Sequence, residues 1–261
     1  MNLRIVTALA LWALSITGMG MGQTSVTPAS DQQASLLASQ AILALNHGVQ
    51  VSDVTLTGTV TYTAGSDIET GTATLKALAA PYSRIDLSLN STTRSEVRDL
   101  SSSMGAWIDG AGVAHQFALH NCMSDAAWFF PAFTSLSAGP NTVLSYVGRE
   151  SRDGSSVWHL RSYTYAQAPY DSATMQRLSA MDFYLDSDSL LPVAITFSAH
   201  PDDQPNIYIP VEVDFSDYQV MSGITVPLRI QRRLQGTNTL EFVISAVAVN
   251  TGLTVSTFAV N

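Results

Sequence analysis

Cys122 is the only cysteine in 261 residues, so no disulfide can form within the chain and core burial must supply the stability. The residue itself is read as a small buried hydrophobe, with a reactive thiol or an intermolecular bridge as the alternative. Charge is scarce as well. Only 13% of residues are charged, Lys76 is the sole lysine, and 12 basic residues face 21 acidic ones for a net charge of -9. Such a chain repels nucleic acid and anionic membrane surfaces unless a local basic patch reverses the field. The nearest approach to a patch is Arg229, Arg232 and Arg233, on one strand and its turn. These read as solvated edge charges that discourage sheet-to-sheet aggregation.

Signatures of chemistry are missing too. There is no Gly-x-Ser-x-Gly element to place a serine on a strained turn, and the histidines (His47, His115, His120, His159 and His200) are scattered along the chain. His115, His120 and Cys122 match no closed zinc spacing and lack a second ligand pair. Asp186, Asp188, Asp202 and Asp203 lack the regular oxygen spacing of a calcium loop and are better explained by turn formation. The expectation is a protein that is not an enzyme and that needs no metal or cofactor. Internal repeats, coiled-coil heptads and low-complexity tracts are also lacking, so nothing divides the chain into domains.

What is present is apolar material, 46% of the residues, enough for a substantial core. Residues 1–22 carry Arg4, an apolar run from Ile5 to about Thr17, and the small residues Gly20 and Gly22, the pattern of a secretory signal peptide too short to span a membrane as a stable helix. No cysteine lies near its end to carry a lipid anchor. Residues 23–30 read as a mobile tail and 31–261 as a single domain, periplasmic or secreted, with no integral membrane segment after cleavage.

Ser30 and Gln33 stand at capping-box spacing, and Gly48 is placed to end the helix whose one face holds Ala34, Leu37, Ala38, Ala41, Ala44 and Leu45. Strands follow. Val54, Leu56, Gly58, Val60 and Tyr62 alternate with Thr55, Thr57, Thr59 and Thr61, and Thr70, Thr72 and Thr74 repeat the hydroxyl face on the return. A threonine array can in principle bind an ordered surface; cross-strand pairing on a solvent-facing hairpin explains it more simply. Ile85, Leu87 and Leu89 form another apolar stripe, whereas Arg94, Glu96 and Arg98 alternate on a segment with little to bury, read as an exposed or edge strand. Asp109-Gly110 is suited to a tight hairpin. Ser124 or Asp125 can then cap a short helix bearing Trp128, Phe129 and Phe130, with Pro131 redirecting it. Three successive rings cannot share one helix face, so at least one must reach a second apolar surface or a cavity.

The last third, from Met181 to Leu253, alternates apolar and polar residues through four or five segments separated by turn residues, as an antiparallel meander does. Its parts appear in a distinctive order: Phe183-Tyr184-Leu185-Asp186, Leu191-Pro192, Val213-Asp214-Phe215-Ser216-Asp217-Tyr218, Gly223-Ile224-Thr225-Val226-Pro227 and Val249-Asn250-Thr251-Gly252-Leu253. That order resembles the half-barrel superfamily of the outer-membrane lipoprotein carrier and receptor (LolA/LolB-like), which also includes a periplasmic stress-sensing regulator. It covers about a quarter of the chain, and the matching residues mark turns and strand ends, so they bear on fold more than on function. The resemblance implies an α+β fold, one curved antiparallel sheet of about 10–12 strands with helices in or over its concave face. It also implies a non-catalytic protein that shelters a lipid, an acylated protein or another hydrophobic ligand. The arginine that holds the carrier's lid closed has no evident counterpart, although Arg84 and Arg94 lie in that region. The hydrophobic ligand-contact candidates are Trp107, Trp128, Phe129, Phe130 and Phe133, each of which core packing also explains. The competing function is an envelope protein-interaction or stress-sensing module with a filled core. A monomer is expected in either case.

Overall fold

A computed structural model describes residues 28–137, 139–166 and 171–260. The expected signal peptide at 1–22 and most of the tail at 23–30 lie outside the described residues. Helix α1 spans Gln32–Asn46, followed by strands β1 (Asp53–Ala64), β2 (Asp67–Leu78), β3 (Tyr82–Leu89), β4 (Thr93–Asp99), β5 (Met104–Ile108) and β6 (Ala114–Gln116). A segment of turns and short 3-10 helices over residues 119–137 leads to β7 (Thr142–Arg152) and β8 (Ser155–Thr164). Helix α2 (Ser172–Ser179) precedes β9 (Met181–Asp186), β10 (Pro192–Ala199), β11 (Ile209–Met221), β12 (Ile224–Leu234) and β13 (Thr237–Val249).

The 13 strands among the described residues form one antiparallel sheet in the order β6-β5-β4-β3-β2-β1-β13-β12-β11-β10-β9-β8-β7, one strand more than the upper expectation. This order has a simple logic. The chain begins in the middle of the sheet, meanders outward to the β6 edge, crosses to the far edge at β7, and meanders back until β13 pairs with β1. The crossing segment must therefore traverse a face of the sheet, and it is the aromatic stretch that does so. Because Trp128, Phe129, Phe130, Pro131, Ala132 and Phe133 are buried, that face is the apolar, concave one. The expected short helix over these aromatics is not formed. Turns and 3-10 pieces, with Pro131 opening one of them, let successive rings point in different directions where a regular helix would not.

The joint between the two meanders lies at a β-bulge, where Thr57 faces Ala246 but Gly58 faces Ile244. A Cβ on Gly58 would lie 2.0 Å from the Val243 carbonyl oxygen, so only glycine lets the strands close here.

Helix α1 covers the concave face of the β7–β12 half. Asp31, and not Ser30, is its N-cap: the carboxylate accepts from the Gln33 and Ala34 amides at 2.7 and 3.1 Å. Ser30 instead accepts from the Leu144 amide through its hydroxyl and so fastens the helix start to β7. At the other end His47, ahead of Gly48, takes the left-handed conformation, and its Nε2 lies 2.6 Å from the Thr225 hydroxyl of β12. Ala34, Leu37, Ala38, Ala41 and Leu45 are buried beneath it.

The quoted motif residues act as fold locks. The Tyr218 hydroxyl donates to the Pro192 carbonyl at 2.7 Å, tying two of those motifs together. Buried Asp53 accepts from the Thr251 and Gly252 amides at 2.8 and 3.0 Å and so closes the Val249–Leu253 turn. A tight hairpin forms at Asp153-Gly154, whose φ values are 49° and 83°, between β7 and β8. Asp109-Gly110 instead belongs to a longer loop, because the Asp109 side chain also bonds the Ala111 and Val113 amides. The threonines face outward in register, Thr57 with Thr74, Thr59 with Thr72 and Thr61 with Thr70, as cross-strand pairing requires.

Candidate functional site

Register decides which side chains enter the concavity. On β3, Ile85 and Leu87 face the core; β4 pairs Glu96 with Ile85 and Arg94 with Leu87, which places both charged residues on that same inner face. Ser83 and Arg98 pair in the same way. The reading of 93–99 as an exposed or edge strand is therefore corrected: β4 has β3 on one side and β5 on the other, and its charges point inward. On β12 the inner set Ile224, Val226 and Ile230 continues in steps of two to Arg232, which pairs with core Leu240. Arg232 is thus no solvated edge charge. Arg229 and Arg233 face the other way and pair with Glu241 and Asp214.

Arg94, Glu96, Arg98 and Arg232 meet on the inner face. The Arg98 Nε donates to Glu96 Oε1 at 2.8 Å, and Arg232 Nη1 lies 3.6 Å from Glu96 Oε2. Every guanidinium also rests near an aromatic face: Arg232 is 5.2 Å from the Trp128 ring, Arg98 is 5.1 Å from Phe117, and Arg94 is 4.3 Å from Trp107 and 5.6 Å from Tyr62. Burial works to raise the Glu96 carboxyl pKa, but Arg98, Arg232 and Arg94 outweigh it and hold the group below its usual value. Burial pushes the Arg232 guanidinium down from its ordinary value; Glu96 opposes this, while Arg98 and Arg94 add to it.

Around the cluster the concave face is not filled. One cavity of about 220 Å³ lies between β4, β10–β12 and the start of the crossing segment, lined by Arg94, Glu96, Arg98, Phe117, Trp128 and Arg232 among others. A second of about 320 Å³ shares Arg94, Glu96, Arg232 and Leu234 with the first and continues over Tyr62, Ile85, Leu87 and Leu240. Engineered apolar cavities of roughly 150 Å³ already hold benzene, so both spaces are large enough for part of a small guest. One end of the combined space is apolar and the other cationic.

The wall is pinned at the start of the crossing segment. Asn121 bonds the His200 backbone twice, its Nδ2 donating to the carbonyl at 2.8 Å and its Oδ1 accepting from the amide at 2.9 Å. Its own carbonyl accepts from Arg98 Nη1 at 2.9 Å. Asp125 closes the other end by accepting from the Ser135 amide and hydroxyl at 2.8 and 2.6 Å, with burial raising its carboxyl.

The five aromatic candidates separate into two groups. Trp128 lines the first cavity, and Trp107 borders a neighbouring space of about 230 Å³ together with Arg94 and Tyr62, its ring stacked 4.0 Å from His115. Phe129, Phe130 and Phe133 are packed within the core, Phe130 edge-on to Phe133 at 5.0 Å, and line none of these spaces. Sequence reasoning missed Arg94, Glu96, Arg98 and Arg232 as site residues. The signal was the hairpin register with Ile85 and Leu87 and the period-two continuation from Ile230. Of the two arginines in the carrier-like region, Arg94 faces the concavity, whereas Arg84 faces outward and pairs with Asp86 at 2.8 Å.

A larger groove of about 560 Å³ lies on the outer face, between α2 and β8–β11. Its charges already have protein partners: Arg161 grips Asp182 at 2.8 and 2.9 Å, Arg177 donates to the Pro205 carbonyl at 2.8 Å, and Glu212 pairs with Arg152 and Arg233. No group of three or more potential metal ligands occurs among the described residues. His115 turns to Asp109 at 3.2 Å and His120 to the Pro201 carbonyl at 3.0 Å, while Cys122 is buried with its thiol pushed up by burial, as a small hydrophobe would be. No described helix is long and apolar enough to cross a membrane.

No protein-family profile matches the chain, and no curated protein matches it either. Solved structures do. A DUF1329 family protein from Desulfovibrio piger superposes with a TM-score of 0.56 at 12% identity, covering 89% of this chain and 98% of that one. An outer membrane lipoprotein-sorting protein domain from Vibrio parahaemolyticus gives 0.56 at 12%, over 87% and 96%. A LolA superfamily protein from Nitrosomonas europaea gives 0.56 at 10%, over 87% and 97%. At such identities the likeness is one of fold. The open antiparallel sheet, the helix over its concave face and these superpositions together give this chain a divergent form of the LolA-like half-barrel fold.

Proposed function

We propose that this protein is a non-catalytic, extracytoplasmic binding protein for a lipid, an acylated protein or another hydrophobic ligand. In this account residues 1–22 are removed on export and the remainder works as a monomer in the periplasm or outside the cell. The carrying observation is the incompletely filled concave face: α1 and the crossing segment pack over part of it, yet two adjoining cavities remain, one against β4 and β10–β12 and the other against β1, β3, β4, β12 and β13. At roughly 0.8 kcal/mol per buried methylene, about eight buried carbons of an acyl chain contribute about 6 kcal/mol against the ordering cost. The likeness in fold to a lipoprotein-sorting domain and a LolA superfamily protein supports the reading. The competing reading, an aromatic segment that meets a protein partner, has less support, since Trp128, Phe129, Phe130 and Phe133 are all buried.

Detergent-free purification followed by native mass spectrometry tests the reading. A bound mass that delipidation removes, and that added fatty acid restores, is the expected result. A clean apo mass together with no binding of fluorescent fatty acids contradicts it.

A further inference from the structure

The cluster at the shared wall of the two cavities carries an imbalance that the hydrophobic reading alone does not explain. Three guanidiniums, Arg94, Arg98 and Arg232, line the first cavity with a single carboxylate, Glu96, in a chain whose net charge is -9. Placing like charges together inside a concavity is costly unless each finds a partner. Arg98 does, through Glu96 and the Asn121 carbonyl. Arg232 shares the same carboxylate at 3.6 Å, beyond hydrogen-bond length. Arg94 forms no ion pair among the described residues and is held only by the faces of Tyr62 and Trp107. Neither Arg94 nor Arg232 donates a side-chain hydrogen bond to a protein group among the described residues, and none of their nitrogens is a sealed, unpartnered atom. Their donors therefore open onto the cavity space.

Aromatic rings lie against the Arg94 and Arg232 guanidiniums while leaving their edges free, and a guanidinium edge is a planar two-donor fork matched to a carboxylate or a phosphate. Beyond the fork, the second cavity runs over Tyr62, Ile85, Leu87 and Leu240, an apolar continuation of the same space. Resting on the hydrophobic-ligand reading, we infer that the ligand is an anionic amphiphile. Its carboxylate or phosphate head sits among Arg94, Arg98 and Arg232, and its chain enters the cavity over Ile85 and Leu87. The two sources of that head, a free fatty acid and a phosphorylated lipid, share the chemistry and differ in charge and reach.

Calorimetric titration of the delipidated protein with oleate, methyl oleate, lysophosphatidate and inorganic phosphate tests this. Oleate or lysophosphatidate is expected to bind at least about tenfold more tightly than methyl oleate, the stronger of the two identifying the head. Arg94→Gln, which breaks no ion pair among the described residues, is expected to weaken the anionic lipid by about tenfold and methyl oleate much less. Equal binding of oleate, lysophosphatidate and methyl oleate overturns the inference and leaves the hydrophobic reading standing. Inorganic phosphate bound as tightly as lysophosphatidate also overturns it, since the site then takes a free anion. If no lipid binds, the hydrophobic reading falls and this inference falls with it. Circular dichroism and melting of the variant establish that it is folded, and Arg94→Lys, which keeps charge but not the fork, is expected to recover only part of the affinity.

Discussion

Arg232 Nη1 lies 3.6 Å from Glu96 Oε2, although β12 and β4 are separated in the sheet by β13, β1, β2 and β3. The contact crosses the interior of the half-barrel and joins its outbound and inbound meanders. Glu96→Gln removes the only carboxylate among three guanidiniums, so we expect a loss of about 1–3 kcal/mol. Sodium phosphate should stabilise this variant more than the wild type, because an anion replaces the missing charge. The double variant Glu96→Gln with Arg232→Gln should lose less than the sum of the singles. Thermal denaturation with and without phosphate checks all three statements, and strict additivity would show that the pair is not coupled.

Two neighbouring aromatics are expected to behave differently on truncation. Phe129 is fully buried and lines none of the described cavities, so Phe129→Ala should cost about 3–5 kcal/mol with no selective effect on ligand binding in the folded fraction. Trp128 faces a cavity under Arg232, so Trp128→Phe should cost less stability yet change ligand affinity. Paired melting and binding curves for the two variants separate core from site.

Gly58 is expected to tolerate no side chain. Alanine there would meet the Val243 carbonyl, force the β1–β13 joint apart, and cost about 1–3 kcal/mol. An unchanged melting temperature for Gly58→Ala would show that the joint is looser than the register indicates.

Asp214 supplies a pH signature on the outer face. Burial, with Glu212 alongside, pushes its carboxyl from 3.8 up to about 6, against the pull of Arg233 and Arg152. A raised folded-state value means that the native protein holds this proton more tightly than the unfolded chain does. The contribution is therefore fully present below pH 3.8 and is lost as the pH rises through about 6, amounting to at most about 3 kcal/mol. Asp214→Asn should remove that component. The wild-type-minus-variant stability difference should fall between pH 4 and pH 6, and a flat difference would contradict the assignment.

Much of the fold was legible because strand alternation and turn chemistry are local. Val54 to Tyr62, the Asp153-Gly154 turn and the Met181–Leu253 meander follow from period two and positive-φ residues alone. The aromatic stretch was read as a helix because Asp125 and Pro131 mimic helix punctuation, whereas its course is dictated by the need to cross from β6 to β7, a property of topology. The arginines were misplaced for a related reason. Charge suggested exposure, but a strand's facing is set by its neighbour's register, and Arg94, Glu96 and Arg98 sit opposite Leu87, Ile85 and Ser83. Their convergence with Arg232 depends on sheet curvature, which no local pattern encodes.

The central claim, that ligand occupies the concave space beside Trp128, is tested most directly by short-range fluorescence quenching. Variants of the chain from residue 23 onward that retain only Trp128 or only Trp158, the other tryptophans replaced by phenylalanine, are titrated with a fatty acid brominated along its chain. Trp128 lines the first cavity, while Trp158 packs against Tyr146 and beneath Arg149. Saturable quenching of the Trp128 protein with little change in the Trp158 protein is the expected result; quenching of Trp158 with Trp128 untouched would contradict it.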